Sequence, residues 1–138
     1  MTSGYKKPIP VPQGESDYYW EKAKAGELWL RQCNDCNTAY FYPRDISPCC
    51  FSKNTSWIQA SGKATLFTYA IVHRPPHPGF GEDIPFVTAI VELEEGPKMA
   101  TNVIIENPTP ENLQIGMNLQ VFFDDITESI ALPKFKPA

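Results

Sequence analysis

Four cysteines within the first 50 residues of this 138-residue chain are the side chains best suited to chemistry. Cys33 and Cys36 form a C-x2-C pair, and Cys49 and Cys50 follow after twelve intervening residues. Two thiolate pairs brought together by a short hairpin are what a tetrahedral zinc site requires. The sequence therefore predicts a small zinc ribbon, joined to a cysteine-free remainder that is rich in strand patterns.

A short helix and two strands are expected to hold this ribbon. Polar residues at positions 16 and 17 can cap a helix over residues 18–25, which Gly26 ends. A helix of this length is not stable alone and must dock on another element. A strand over residues 27–32 leads into the first cysteine, and an aromatic strand covers residues 40–42. The apolar face of the helix comprises Tyr19, Trp20 and Ala23.

The chain from residue 57 onward is predicted to form five strands, which are rich in β-branched and aromatic residues. Five strands with one long first strand fit a small closed barrel of the OB type. The fold is therefore predicted to be mainly β, with a flexible N-terminal arm (1–14), a helix and zinc ribbon (15–56) and an OB-fold barrel (57–138). The five strands cover residues 62–72, 86–93, 99–105, 119–126 and 129–132.

The loop between the first two barrel strands is the most unusual surface segment, with two histidines, an arginine and several prolines and glycines. Loops at a barrel mouth often carry binding groups. An arginine there suits a phosphate or a carboxylate of a partner, and Phe80 suits a neighbour's pocket. The alternative is a structural role for each residue. The predicted partner-binding or CoA-binding residues are His73, Arg74, Phe80 and Lys63.

The charge balance disfavours nucleic acid and membrane partners. Twelve Lys and Arg residues against 16 Asp and Glu give a net charge of −4, and the basic residues form no stripe. No apolar run approaches the ~20 residues of a membrane span, and the N-terminus does not have a signal-peptide pattern. We therefore expect a cytoplasmic protein, in which cysteines are metal ligands more often than disulfides.

Several segments of the second half carry a resemblance to a known family. Together with Cys33-x2-Cys36 and Pro43-Arg44, these segments give residues 17–138 a resemblance to a family of OB-fold, acyl-CoA-associated proteins. Proteins of that family carry a rubredoxin-like zinc ribbon. The segments are Trp57-Ile58, Ser61-Gly62-Lys63-Ala64-Thr65, Ile71-Val72-His73-Arg74-Pro75, Phe86-Val87-Thr88-Ala89-Ile90-Val91-Glu92-Leu93, Glu95-Gly96-Pro97, Ile115-Gly116-Met117 and Phe135-Lys136-Pro137-Ala138.

Members of that family are companion subunits of thiolase-superfamily enzymes: thiolases, HMG-CoA synthases and aldolases that shorten steroid side chains. The resemblance implies a non-catalytic subunit that supports its partner's assembly and acyl-CoA site, in a hetero-oligomer that is expected to be two-plus-two. The sequence contains no G-x-S-x-G elbow, phosphate-binding glycine loop or Rossmann fingerprint. We therefore expect no catalytic residues in this chain.

The resemblance also implies a Cys-Pro-x-Cys second knuckle, whereas this chain reads Ser47-Pro48-Cys49-Cys50. A serine hydroxyl is a poor zinc ligand beside a thiolate, so Cys49 is expected to replace the missing ligand. That exchange needs a turned backbone at 49–50. A metal-free ribbon held by aromatic packing and a disulfide or redox pair are the alternatives. The predicted zinc ligands are Cys33, Cys36, Cys49 and Cys50.

A single-stranded nucleic-acid binder is the second functional hypothesis, since OB barrels and zinc ribbons support that function elsewhere. The acidic balance opposes it, and the candidate stacking residues lie within strand patterns. A third hypothesis, an independent acyl-CoA enzyme such as a thioesterase, lacks a catalytic set of residues. The candidate stacking residues are Phe67, Tyr69, Phe86 and Phe122.

Overall fold

A small three-stranded sheet and a closed five-stranded barrel make up the computed structural model, which describes residues 5–138. The elements are α1 Asp17–Lys24, β1 Trp29–Cys33, β2 Thr38–Tyr40, β3 Thr55–Gln59, β4 Lys63–Val72, β5 Phe86–Leu93, β6 Lys98–Val103, β7 Asn118–Asp125 and β8 Ala131–Pro137. The ribbon sheet has the order β2-β1-β3, and the barrel has the order β4-β5-β6-β8-β7. The predicted mainly β fold is confirmed.

Helix α1 docks between the ribbon and the barrel, as expected for a helix too short to be stable alone. It contacts β1 on the ribbon and β7 and β8 of the barrel. Tyr19 and Ala23, four residues apart on one face, are buried. Lys24 Nζ donates to the Thr127 carbonyl at 2.9 Å and lies 3.1 Å from the Asp125 carboxylate. These contacts attach the end of the helix to the turn between β7 and β8.

One hydrophobic core runs from the ribbon into the barrel. Tyr19 of α1 and Leu30 of β1 belong to the same buried cluster as Leu66, Val91 and Phe135 of the barrel. The Leu28 carbonyl also accepts a hydrogen bond from the backbone N–H of residue 60, at the start of the linker. The ribbon is therefore held against the barrel by shared burial and not by the linker alone.

Gly62 allows the linker to approach β7 where the barrel closes. Its φ is +85°, in the left-handed region, and its carbonyl accepts a hydrogen bond from the Val121 N–H at 2.8 Å. A Cβ at this position would lie 2.5 Å from Val121 Cγ1. Only glycine accommodates both the backbone conformation and the close approach.

The last strand was predicted at residues 129–132 but runs Ala131–Pro137. Its prolines, Pro133 and Pro137, weakened the strand signal in the sequence. Strand β8 pairs with β7 along its whole length but with β6 only at Val103 and Phe135, so a residue without an N–H is tolerated there. Phe135 is fully buried and anchors the strand in the core.

Two ribbon boundaries also differ from the prediction. The aromatic strand is Thr38–Tyr40 and not 40–42, because Phe41 leaves the sheet and packs edge-on against Tyr19 with centroids 5.8 Å apart. Strand β3 begins at residue 55, ahead of the predicted boundary at 57, and pairs with β1 from residue 55 to residue 59. The division of the chain at 56/57 stays a prediction.

Within residues 5–138, no helix has the length and apolarity needed to cross a lipid bilayer. The predicted N-terminal arm begins outside the described residues, because positions 1–4 precede them.

Candidate metal centre and loop surface

The first knuckle connects β1 to β2. Cys33 ends β1 and is buried, and the turn brings a half-buried Cys36 back towards it. Asn37 adopts a φ of 53°, a left-handed conformation that asparagine tolerates better than most residues. The Thr38 hydroxyl donates to the Cys36 carbonyl at 3.1 Å and steadies the exit from the turn.

The second knuckle repeats this shape around residues 47–51. The Phe51 N–H donates to the Ser47 carbonyl at 2.9 Å, and Phe51 has a φ of 61° directly after Cys50. The Ser47 hydroxyl accepts a hydrogen bond from the Cys49 N–H at 3.1 Å. Both knuckles therefore end in a residue with left-handed backbone conformation that immediately follows a cysteine.

Asp35 ties the two knuckles together. Its carboxylate accepts hydrogen bonds from the Ser52 hydroxyl and from the Asn54 side-chain amide, the latter at 3.0 Å. These two bonds lower the pKa of Asp35 below its usual value because they stabilise the charged form. An ionised carboxylate therefore joins the first turn to the segment that leads into β3.

Three thiols meet between the knuckles. The Sγ atoms of Cys33, Cys36 and Cys50 all lie within 4.8 Å of one another. The Cys33–Cys50 distance is 3.5 Å and the Cys36–Cys50 distance is 3.8 Å. Zinc–sulfur bonds of about 2.3 Å at tetrahedral angles separate two sulfurs by about 3.8 Å. The donor set therefore fits a zinc ion.

Hydrogen bonds shift the pKa values of these thiols in opposite directions. The Ser47 hydroxyl, above all, lowers the pKa of Cys33 to about 6, so the ligand-competent thiolate predominates at neutral pH. The pKa of Cys36 is raised instead, chiefly by a hydrogen bond with Cys49. Metal binding at neutral pH must therefore release protons from the other thiols.

The structure brings three of the four predicted ligands together. Cys49 is exposed and is not in the three-cysteine set. Ser47, whose hydroxyl is the poorer ligand by chemistry, is fully buried with that hydroxyl 4.0 Å from Cys50 Sγ. The sequence signal was the spacing, because 47 and 50 repeat the x2 interval of 33 and 36.

The loop between β4 and β5, which was predicted to contact a partner, begins at the C-terminal end of β4. His73 and Arg74 are exposed, whereas Phe80 is half-buried and stacks on Phe86 with centroids 5.2 Å apart. The ammonium of Lys7 lies 5.5 Å from the centre of the Phe80 ring. The structure thus places Phe80 against its own chain, and its role in partner binding stays a prediction.

Lys63 does not join this loop. It begins β4, whereas Arg74 follows the end of that strand, whose ten residues span roughly 30 Å when extended. The two basic groups therefore cannot contact the same phosphate group.

An aromatic cleft between the ribbon and the barrel was missed by the sequence reasoning. It encloses about 390 Å³, and its ribbon side includes Tyr42, which is 57% exposed. Barrel residues Met99 and Pro133 form the opposite wall. The aromatic run ahead of Pro43-Arg44 was the available signal, but it was assigned wholly to a strand. The helix and ribbon contribute Tyr19, Trp20, Phe41, Tyr42 and Arg44.

Comparison with known proteins gives matches for both modules. Residues 20–56 match the family described as "ChsH2, rubredoxin-like zinc ribbon domain", and residues 57–124 match "ChsH2, C-terminal OB-fold domain". The "DUF35 domain-containing scaffold protein" of Methanocaldococcus jannaschii is 38% identical over 98 residues, which are 70% of this chain and 67% of that protein.

Two further relatives belong to larger assemblies by name. The "Probable enoyl-CoA hydratase alpha subunit" of Thermomonospora curvata is 31% identical over 132 residues, which are 96% of this chain. The present chain spans only 40% of that relative's length. A chain of the solved structure "Ltp2-ChsH2(DUF35) aldolase" superposes with a TM-score of 0.79 and 30% identity, covering 94% of this chain and 98% of that chain.

The ribbon match and the three-cysteine cluster together confirm the predicted zinc cofactor. The two family matches, the scaffold relative and the solved structure all indicate the same family, and together they cover nearly the whole sequence. This chain therefore belongs to the ChsH2 (DUF35) family of OB-fold proteins with a rubredoxin-like zinc ribbon.

Proposed function

We propose that this chain is a non-catalytic accessory subunit that docks on a thiolase-superfamily enzyme acting on acyl-CoA. The observation that carries the proposal is the end-to-end match, 98% of the matched chain, to one chain of an aldolase assembly. The scaffold name of the archaeal relative supports a role in assembly and not in catalysis.

The placement of the nucleophiles and bases supports the same role. Nucleophilic catalysis needs a nucleophile and a base within hydrogen-bond reach. Three thiols face one another in the ribbon, where a metal would engage them. His77 Nδ1 accepts the Gly79 N–H at 2.9 Å and so serves to shape its own loop. We infer that the bond-breaking groups belong to the partner.

The cavity beside the loop is a poor site for the phosphates of coenzyme A. It encloses about 410 Å³ between the N-terminal arm and the barrel. Two of its lysines are already compensated, since Lys7 pairs with Asp83 and Lys134 with Asp124, the latter at 2.6 Å. Paired cations attract phosphate weakly, so we propose that this chain supports its partner's CoA site without holding the phosphates itself.

Co-expression with a thiolase-superfamily protein encoded beside this chain tests the proposal. Size-exclusion chromatography with light scattering should show one complex, with two copies of each subunit. Elution of this chain alone contradicts the proposal.

Charge reversal then locates the contact. If the loop docks on the partner, Arg74→Glu should weaken the complex about tenfold, or roughly 1.4 kcal/mol. Lys63→Glu, the same charge change at the other end of β4, should leave affinity within about twofold. Equal effects of the two variants would remove the loop as the docking site.

The nucleic-acid hypothesis has less support. Tyr69 packs against the barrel core and one face of Phe86 stacks on Phe80, so both rings already have partners within the chain. Phe67 is exposed, with Lys98 Nζ 4.7 Å from its ring centre. Binding to oligonucleotides that persists at physiological salt would revive this hypothesis.

A further inference from the structure

We propose that the fourth vertex of the zinc site in this chain belongs to Ser47 and not to Cys49. The site would then hold zinc with the thiolates of Cys33, Cys36 and Cys50 and with the hydroxyl oxygen of Ser47. This set of three sulfurs and one oxygen departs from the four-cysteine pattern that a rubredoxin-like ribbon carries.

The equivalence of the two knuckles supports this assignment. Cys33-x2-Cys36 is followed by Asn37 with φ 53°, and Ser47-x2-Cys50 is followed by Phe51 with φ 61°. Matching backbone turns place matching side chains, so residue 47 occupies in the second knuckle the position that residue 33 occupies in the first. Both residues are fully buried, with exposed fractions of 0%.

The hydroxyl of Ser47 lies where a fourth donor is needed. It lies 4.0 Å from Cys50 Sγ, with which it forms a weak hydrogen bond, and Ser47 is fully buried. This separation is about 0.4 Å longer than the ~3.6 Å that Zn–O and Zn–S bonds of about 2.1 and 2.3 Å give at a tetrahedral angle, so a small closure of the knuckle would bring the oxygen into bonding distance.

Cys49 fails the same geometric test. Its Sγ lies outside the group in which every sulfur is within 4.8 Å of every other. Its backbone N–H is committed to the Ser47 hydroxyl at 3.1 Å, which fixes the turn with the Cys49 side chain exposed. To become a ligand, Cys49 would have to rebuild the knuckle.

The chemical consequence is a weaker site. Three thiolates and a neutral hydroxyl leave the zinc complex with one negative charge, whereas four thiolates leave two. A hydroxyl oxygen also donates to zinc less strongly than a thiolate. The chain should therefore release zinc to a chelator more readily than its Ser47→Cys variant does.

Two single variants of the full chain and the unaltered protein test the assignment. Zinc affinity is measured by competition with a chromophoric chelator, and the number of sulfur ligands by the thiolate-to-metal absorption of the cobalt(II) form. Cys49→Ser should leave the cobalt spectrum unchanged and the zinc affinity within about threefold. Ser47→Cys should add thiolate-to-cobalt intensity and tighten zinc at least about tenfold.

The opposite pattern overturns the proposal. If Cys49→Ser lowers the thiolate-to-cobalt absorption or weakens zinc more than tenfold, Cys49 is a ligand. A Ser47→Cys variant that folds but adds no absorption also rejects the assignment, as does a wild-type protein that binds no cobalt. If Ser47→Cys does not fold, the Cys49→Ser result alone decides the question. None of these results depends on the presence of a partner enzyme.

Discussion

Replacing Gly62 with alanine should weaken barrel closure through two separable effects. The first is conformational, because a φ of +85° places an L-residue in the left-handed region. The second is steric, because the new Cβ would lie 2.5 Å from Val121 Cγ1 on β7. Relief of that contact requires the Val121 side chain to leave its rotamer or β7 to move away from the linker that joins the ribbon to the barrel.

Gly116 provides a matched control for the conformational effect. Its φ is +89°, within a few degrees of Gly62, but nothing lies within 4 Å of its Cβ position. The left-handed conformation should cost each variant about 1–2 kcal/mol. Overpacking should add about 1–3 kcal/mol for Gly62→Ala alone. We therefore expect unfolding free energies lowered by about 2–5 kcal/mol for Gly62→Ala and about 1–2 kcal/mol for Gly116→Ala.

Urea unfolding at saturating zinc measures the difference. With an m-value of about 2 kcal/mol/M, Gly62→Ala should have a midpoint about 0.5–1.5 M below that of Gly116→Ala. Equal midpoints for the two variants would show that the linker does not closely contact β7 and would refute the reasoning on barrel closure.

Three other outcomes are expected. Burial raises the pKa of Tyr19, so the unfolded chain loses the phenolic proton at a lower pH than the folded chain does. The stability of the wild-type protein should therefore fall as the pH rises past about 10, whereas Tyr19→Phe should lose less stability over that range. Denaturant unfolding of both proteins at pH 9 and pH 11 checks the sign of this difference. In Gly79→Ala the new Cβ would lie 2.3 Å from the Lys6 carbonyl oxygen, so amide hydrogen exchange in the N-terminal arm should become faster. In the control Gly81→Ala the new Cβ would lie 3.4 Å from its nearest neighbour, and exchange in the arm should not change. Equal exchange in the two variants would contradict the packing of the arm on this loop. Removal of zinc by a chelator should raise amide exchange in β1 and β2 but not in β4 and β5, and uniform protection would show that the metal does not hold the ribbon.

The modular plan was predictable because its signals are local. The C-x2-C spacing and the turn residues around it indicate a knuckle wherever they occur. The apolar face of α1 follows from the helical period, and Tyr19 and Ala23 are indeed buried. Alternating strand patterns likewise located the barrel strands within a few residues. The last strand was harder to locate, because its prolines have no N–H to donate and its pairing with β6 at a single position is a property of the closed barrel.

What the sequence by itself determined was the presence of a ribbon and a barrel and the number of thiols available. The tertiary structure decided which side chain faces the metal, since the buried position of Ser47 depends on two turns brought together across the sheet. It also decided that Lys63 and Arg74 lie far apart, because a ten-residue strand separates them. The physical reason is the same in both cases: periodicity and spacing constrain neighbours along the chain, whereas a binding site is assembled from residues that only the folded packing brings together.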